Sequence, residues 1–301
     1  MQHDPSTLDG LQQYQESPHV SRLFCRTCGA HVFARLEQSE RYLVASGVLV
    51  ARNTPPVKAI LHCKTDDTGD GGLSTFLPGW PSVDRCALWV NSGHSTSGDA
   101  SETTIPKRRN APAEHRDKLH AQCHCGGIDF YMTPPDASSS QAWSPWCDLL
   151  VPYHSGSSDN PDDVKWWLRD GDTKFLAGTC ACRSCRLASG FPIQTWAFIP
   201  KSNIFNADGS PLSFDRGAMR RHTSSPGVYR EFCGVCGATV FWHNDGRPTI
   251  IDVSVGLFQG KQARAEQWLE WATGRVSFAE TAAQSDLVEL LEKGMRLYSA
   301  T

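Results

Sequence analysis

Apolar residues in this chain fall mostly in short runs that a glycine or proline soon ends. Ile128 to Met132, Thr195 to Ile199 between Pro192 and Pro200, Thr239 to Trp242 and Thr249 to Val255 are aromatic and β-branched. Each reads as a strand, because such side chains pack well on a pleated, half-buried surface. Short strands with frequent turns between them predict a mainly β fold. One segment has the other period. Leu287, Leu290, Leu291 and Met295 share a helical face, with Ser285 as N-cap and acids in the first turn, which predicts a C-terminal helix.

The same pattern contains a repeat. SPHVSRLFCRTCGAHVF from Ser17 aligns without gaps with SPGVYREFCGVCGATVF from Ser225, at an offset of 208 residues that carries Cys25 onto Cys233. After one gap, VASGVLV from Val44 resembles VSVGLFQ from Val253. Duplication of a domain explains this better than chance. The first copy lacks its front half, so the chain starts inside an ancestral domain or its true start lies upstream of Met1. The expected organisation is a partial copy over residues 1–90, a linker over 91–113 rich in Ser, Thr and Gly, and a complete copy over 114–301. That second copy carries an insertion at about 136–175 and ends in the helix. Trp143, Trp146, Trp166 and Trp167 lie in the insertion, either as core or as a cover for a site.

Composition narrows the function classes. Net charge is −3 and Lys107-Arg108-Arg109 is the only basic cluster, so no nucleic-acid partner is expected. No apolar stretch approaches the roughly 18 residues of a membrane span. The polar N-terminus lacks the apolar centre of a secretory signal. The expectation is a cytoplasmic protein with no membrane partner. In that compartment thiols stay reduced, so twelve cysteines with C-x-C and C-x-x-C spacings point to metal rather than to disulfides.

Cys233-Gly-Val-Cys236-Gly237 places two thiols on one tight turn, and Cys123-His-Cys125-Gly-Gly offers two more. Together they make a closed four-sulfur set, which is a structural site. Cys180-Ala-Cys182-Arg-Ser-Cys185 supplies three thiols in six residues. Three protein ligands leave tetrahedral zinc one open position, the arrangement of a catalytic site. The alternative is a second structural site with a fourth ligand from His124, Cys147 or His222. Arg183 and Arg186 flank the triple and are candidates to hold a substrate carboxylate, or are simply exposed arginines. His222 and His243 receive no separate role. Cys25 and Cys28 have no evident partners. Cys63 and Cys86 are candidates, and free buried thiols are the default.

QCHCGGIDF, CACRSCRLASG and REFCGVCGATVF, in that order, resemble the glutathione-dependent formaldehyde-activating enzymes and the centromere-protein-V-like proteins grouped with them. The resemblance covers residues 119–279 in full and 17–79 in part. It implies a β-tent, a set of small antiparallel sheets stapled by zinc. It implies a structural zinc on Cys123, Cys125, Cys233 and Cys236, and a second, more labile zinc on Cys180, Cys182 and Cys185 linked to glutathione. The expected activity is that of a carbon–sulfur lyase acting on a glutathione adduct such as S-hydroxymethylglutathione. The alternative is a non-catalytic zinc-stabilised module for protein binding.

Overall fold

The computed structural model describes residues 8–49, 62–64, 72–77, 88–90, 117–260 and 262–300. The linker expected at 91–113 and Cys86 lie outside the described residues, as does the side chain of Cys63. The chain is mainly β. It opens with a four-stranded antiparallel ribbon, β1 (Leu11–Ser17), β2 (Val20–Cys25), β3 (His31–Leu36) and β4 (Arg41–Val44), in that order. Two short strands, β5 (His62–Lys64) and β6 (Leu88–Val90), pair in parallel.

The hairpin of β7 (Leu119–Gln122) and β8 (Asp129–Met132) carries the first cysteine pair at its turn. The main sheet contains β9 (Leu168–Arg169), β10 (Lys174–Cys180) and β11 (Gln194–Pro200). The strand β12 (Ile204–Asn206) leaves that sheet to pair with β8. It resumes with β13 (Met219–Ser225), β14 (Val228–Cys233), β15 (Thr239–Asn244), β16 (Ile250–Ser254) and β17 (Leu269–Trp271), in the order β13-β14-β15-β16-β11-β10-β17 with β9 beside β10. All pairs in it are antiparallel except β10 with β17. The strand β16 (IIDVS) is buried along its whole length, as a central strand must be, whereas β13 (MRRHTSS) is polar and lies at the edge.

The first helix, α1 (Arg183–Ser189), follows the central cysteines directly and was not foreseen, being only seven residues long. The C-terminal helix α2 (Ser285–Ser299) is present and buries Leu287, Leu291 and Met295. Ser285 is its first helical residue rather than its cap. Gln284 holds the cap position and makes no side-chain cap bond. Trp166 and Trp167 are fully buried in the core, Trp146 packs at its edge and Trp143 is exposed, so the insertion supplies both core and surface. Phe76, from the segment expected in the first copy, is also fully buried in this core, against Trp271 and Tyr298. Among the described residues, no helix is long and apolar enough to cross a membrane.

The repeated sequence has the same register in both places. Leu11 pairs with Cys25 and Val20 with Leu36. At the 208-residue offset, Met219 pairs with Cys233 and Val228 with Asn244. Both irregularities recur as well, at Gln15/Ser17 with Thr223/Ser225 and at Leu23/Phe24 with Glu231/Phe232. The two ribbons also pack on one another reciprocally. A Cβ on Gly29 would stand 2.6 Å from Cγ of Phe232, and one on Gly237 would stand 2.6 Å from Cγ of Phe24. Both glycines have positive φ, +76° and +77°, so each position excludes a side chain twice over.

That contact is testable by separating strain from crowding. Gly171 has φ +63° with nothing near its missing Cβ. Gly171→Ala should therefore lose only the left-handed strain, about 1–2 kcal/mol. Gly29→Ala should lose that plus an overpacking penalty of about 1–3 kcal/mol. Equal losses in denaturant titrations of the two variants would show that the ribbons do not press together.

Candidate functional site

Two turns built alike bring four sulfurs together. At Cys233 the chain closes on itself, with Cys233 N donating to Ala238 O and Gly237 N to Cys233 O, both at 2.9 Å. At the β7–β8 turn Cys123 N donates to Ile128 O and Gly126 N to Cys123 O. The Sγ atoms of Cys123, Cys125, Cys233 and Cys236 lie within 4.8 Å of one another. Cys125 Sγ is 3.5 Å from both Cys123 Sγ and Cys233 Sγ. A tetrahedron of sulfurs about 2.3 Å from a central zinc has edges of about 3.8 Å, so the spacing fits that ion. Amide groups already point at the sulfurs: Gly127 N at Cys125, Ile128 N at Cys123 and Val235 N at Cys233. All four cysteines are free of disulfides.

The second set sits where β10 runs into α1. Cys180 ends the strand, Cys182 is the helix cap and accepts from Cys185 N at 3.3 Å, and Cys185 lies on the first turn. Their three Sγ atoms are again within 4.8 Å of one another, and no fourth Cys, His, Asp or Glu among the described residues joins them. Cys185 is the best stabilised as thiolate. Hydrogen bonds from Cys180 and Cys182, with the Arg230 charge behind them, hold it well below the usual thiol range, and Cys180 is raised in exchange. Trp196 Nε1 and Arg230 Nη2 each donate to Cys185 Sγ at 3.4 Å. Three closely spaced thiols with external donors on one of them fit a divalent cation.

A cavity of about 510 Å³ opens beside this set. Cys180, Cys182 and Cys185 form one part of its lining, and Trp146, Trp196 and Trp242 form apolar walls. Arg230, Arg247 and Asp252 also line it. Burial pushes the Asp252 carboxyl up to about 6 against the opposing pull of Arg247, and pushes the Cys147 thiol, on the same wall, up to about 12.

The sequence-predicted residues divide clearly. All seven expected ligands fall into the two expected groups. Of the alternative fourth ligands, His124 shares a 2.7 Å hydrogen bond between its Nδ1 and the Tyr14 hydroxyl, Cys147 lines the cavity outside the set, and His222 lies on edge strand β13. Arg183 is exposed. Arg186 is buried and donates through Nη1 to Gly47 O and Leu49 O of the N-terminal ribbon. Neither lines the cavity. The guanidinium that touches a central sulfur belongs to Arg230, in the aligned segment YREFC, where nothing in the sequence ties it to the cysteine triple 45 residues away. Cys25 and Cys28 are half-buried free thiols rather than buried ones, and no further cysteine joins them among the described residues.

Comparison with known proteins follows this geometry. The family model described as glutathione-dependent formaldehyde-activating enzyme matches residues 164–273, a span that includes Cys180, Cys182, Cys185, Cys233 and Cys236. No curated protein matches the chain. Among solved structures, a crystal structure of a Rhodobacter sphaeroides protein is similar at 17% identity. The match covers 50% of this chain and 98% of that one, with a TM-score of 0.29.

Two outcomes follow for the cysteines. Purified protein should carry about two zinc ions by elemental analysis, one per sulfur set. Cys233→Ser should remove a folding ligand and lower Tm by more than about 10 °C. Cys182→Ser should retain one zinc and most of the stability. Melts in the reverse order would exchange the roles of the two sets.

Proposed function

We propose that the protein is a zinc-dependent carbon–sulfur lyase acting on a glutathione adduct of the S-hydroxymethyl type. The observation that carries this reading is the three-sulfur set that lines one wall of a ligand-sized cavity. The family match over residues 164–273 supports it, because glutathione-dependent chemistry is what that family's description names. Cys180, Cys182 and Cys185 are the residues that would hold the reactive zinc, which when bound supplies an open position for thiolate and Lewis acidity.

The rest is work for the chain itself. In the condensing direction a sulfur–carbon bond forms as the carbonyl π bond opens, and the proton lost by the thiol ends on the carbinol oxygen. No oxidant is consumed. Arg230 offsets the negative charge of the sulfur set from within hydrogen-bond distance, which favours an incoming thiol as thiolate. Trp146, Trp196 and Trp242 give the cavity apolar walls, which lessens the screening of this electrostatic help. Cys123, Cys125, Cys233 and Cys236 hold the scaffold. The shared register at a 208-residue offset supports reading the N-terminal ribbon as a partial second copy, without a sulfur triple of its own.

Exchange NMR of glutathione with formaldehyde tests the proposal. Zinc-loaded protein should accelerate interconversion of glutathione and its S-hydroxymethyl adduct, and Cys182→Ser should abolish the acceleration. An exchange rate equal to that in buffer leaves the zinc-stabilised binding module as the better reading.

A further inference from the structure

Donor accounting in the cavity leaves two places unfilled. Arginine is always ionised, and a buried N–H without an acceptor is costly. Arg230 is 4% exposed and Arg247 is 6% exposed. Arg230 donates through Nε to Ser184 Oγ at 2.9 Å and through Nη2 to Cys185 Sγ, yet its Nη1 has no hydrogen-bond partner. Arg247 donates through Nη2 to Asp252 Oδ1, and its Nη1 likewise has none.

The two arginines belong to one built surface. Across the main sheet, Arg230 stands opposite Trp242, Trp242 opposite Asp252, and Asp252 opposite Phe198. Residues directly opposed on neighbouring strands project to the same side. Arg247, from the turn after β15, lies over this row with its Cζ 4.7 Å from the Trp242 ring centre and paired to Asp252. All five residues line the cavity that holds the three sulfurs. The two arginines, each with one unfilled donor, therefore flank a single tryptophan in one compartment.

In the repeat a carboxylate takes the Nε and Nη2 of the corresponding arginine, the two donors that Arg230 gives to Ser184 and Cys185. Arg22, the counterpart of Arg230, makes a two-pronged ion pair with Glu16 at 2.7 and 3.0 Å. At the position equivalent to Glu16 the second ribbon has Ser224, an exposed residue at the cavity lining. The carboxylate that satisfies the first arginine is absent beside the second.

We infer that Arg230 and Arg247 form an anion subsite that receives a carboxylate of the substrate while its sulfur meets the central cysteines. The substrate class is then a thiol, or thiol adduct, that carries a carboxylate, and simple alkyl thiols are disfavoured. This rests on the lyase reading above.

The test compares glutathione with its diethyl ester, which keeps the thiol and loses both carboxylates. Calorimetry on the zinc-loaded full chain, with tryptophan fluorescence as a second readout, should show the ester binding at least about ten-fold more weakly. Ser224→Glu should supply an internal carboxylate to Arg230, weaken glutathione by a similar factor and leave the ester nearly unchanged. The neutral double variant Arg247→Gln, Asp252→Asn should bring the two ligands within about two-fold of each other, provided that circular dichroism and zinc content match the parent. It stands in should Ser224→Glu fail to fold. Equal binding of ester and glutathione by the parent protein, or unchanged discrimination in a folded variant, would overturn the subsite and leave the lyase reading intact. Failure of both thiols to bind would overturn the lyase reading and the subsite with it.

Discussion

Four sulfurs from loops 108 residues apart must meet within a few ångströms for the second half of the molecule to close. One pair comes from the turn of the small β7–β8 hairpin and the other from the turn that ends β14, at opposite margins of two different sheets. As thiolates at that spacing they would repel one another, and a cation held among them would make the arrangement favourable. The clasp ties the three-stranded sheet to the main sheet, and β10, β11 and β16 are thereby fixed under the core. Cys180 stands at the end of β10 and Cys185 one helical turn later, so the central sulfurs inherit their positions from that scaffold.

A second set of contacts holds α1 from its other end. Gly190 caps the helix with φ +70°, and a Cβ there would stand 2.6 Å from His31 O of the N-terminal ribbon. Gly47 N donates to Gly190 O at 2.9 Å, and Arg186 returns bonds to Gly47 O and Leu49 O. A seven-residue helix has little stability of its own, so packing must hold it. The ribbon therefore does structural work next to the central sulfurs, although it brings no ligand to either set. Its Cys25-x-x-Cys28-Gly29 turn keeps the same closing bonds as the turn at Cys233. That explains how the motif can serve here as a packing surface, with Gly29 against Phe232.

The ligand sets were legible because close cysteine spacing encodes a tight turn, and a tight turn converges thiols whatever the wider fold. The strands at 128–132, 195–199 and 249–255 were legible from aromatic and β-branched runs, to within a residue or two at each end. The helix α1 was hidden, since seven residues with one cysteine among them show no periodicity. Arg183 and Arg186 drew attention through adjacency in sequence, which says nothing about which side of a helix a residue occupies. Arg230 reaches Cys185 across 45 residues, a contact that exists only after the sheet has formed. Asp252 was equally hidden, since an acid in a strand of hydrophobic residues reveals its partner only when Arg247 is in place.

The difference between the two ribbons comes down to one pair of positions. Arg22 and Arg230 occupy the same place on the same strand of the same hairpin. In the first ribbon Glu16 on the adjacent strand takes up the guanidinium at a solvent-exposed ion pair. In the second ribbon Ser224 stands at that position and offers no charge, and Arg230 is almost wholly buried. A buried cation needs a partner, and Arg230 finds its own on α1, donating to Ser184 Oγ and Cys185 Sγ. Exchanging one acid for serine thus releases an arginine from its own hairpin and commits it to Cys185. Of two similar ribbons, only the one lacking the acid turns its guanidinium onto the central sulfur triple.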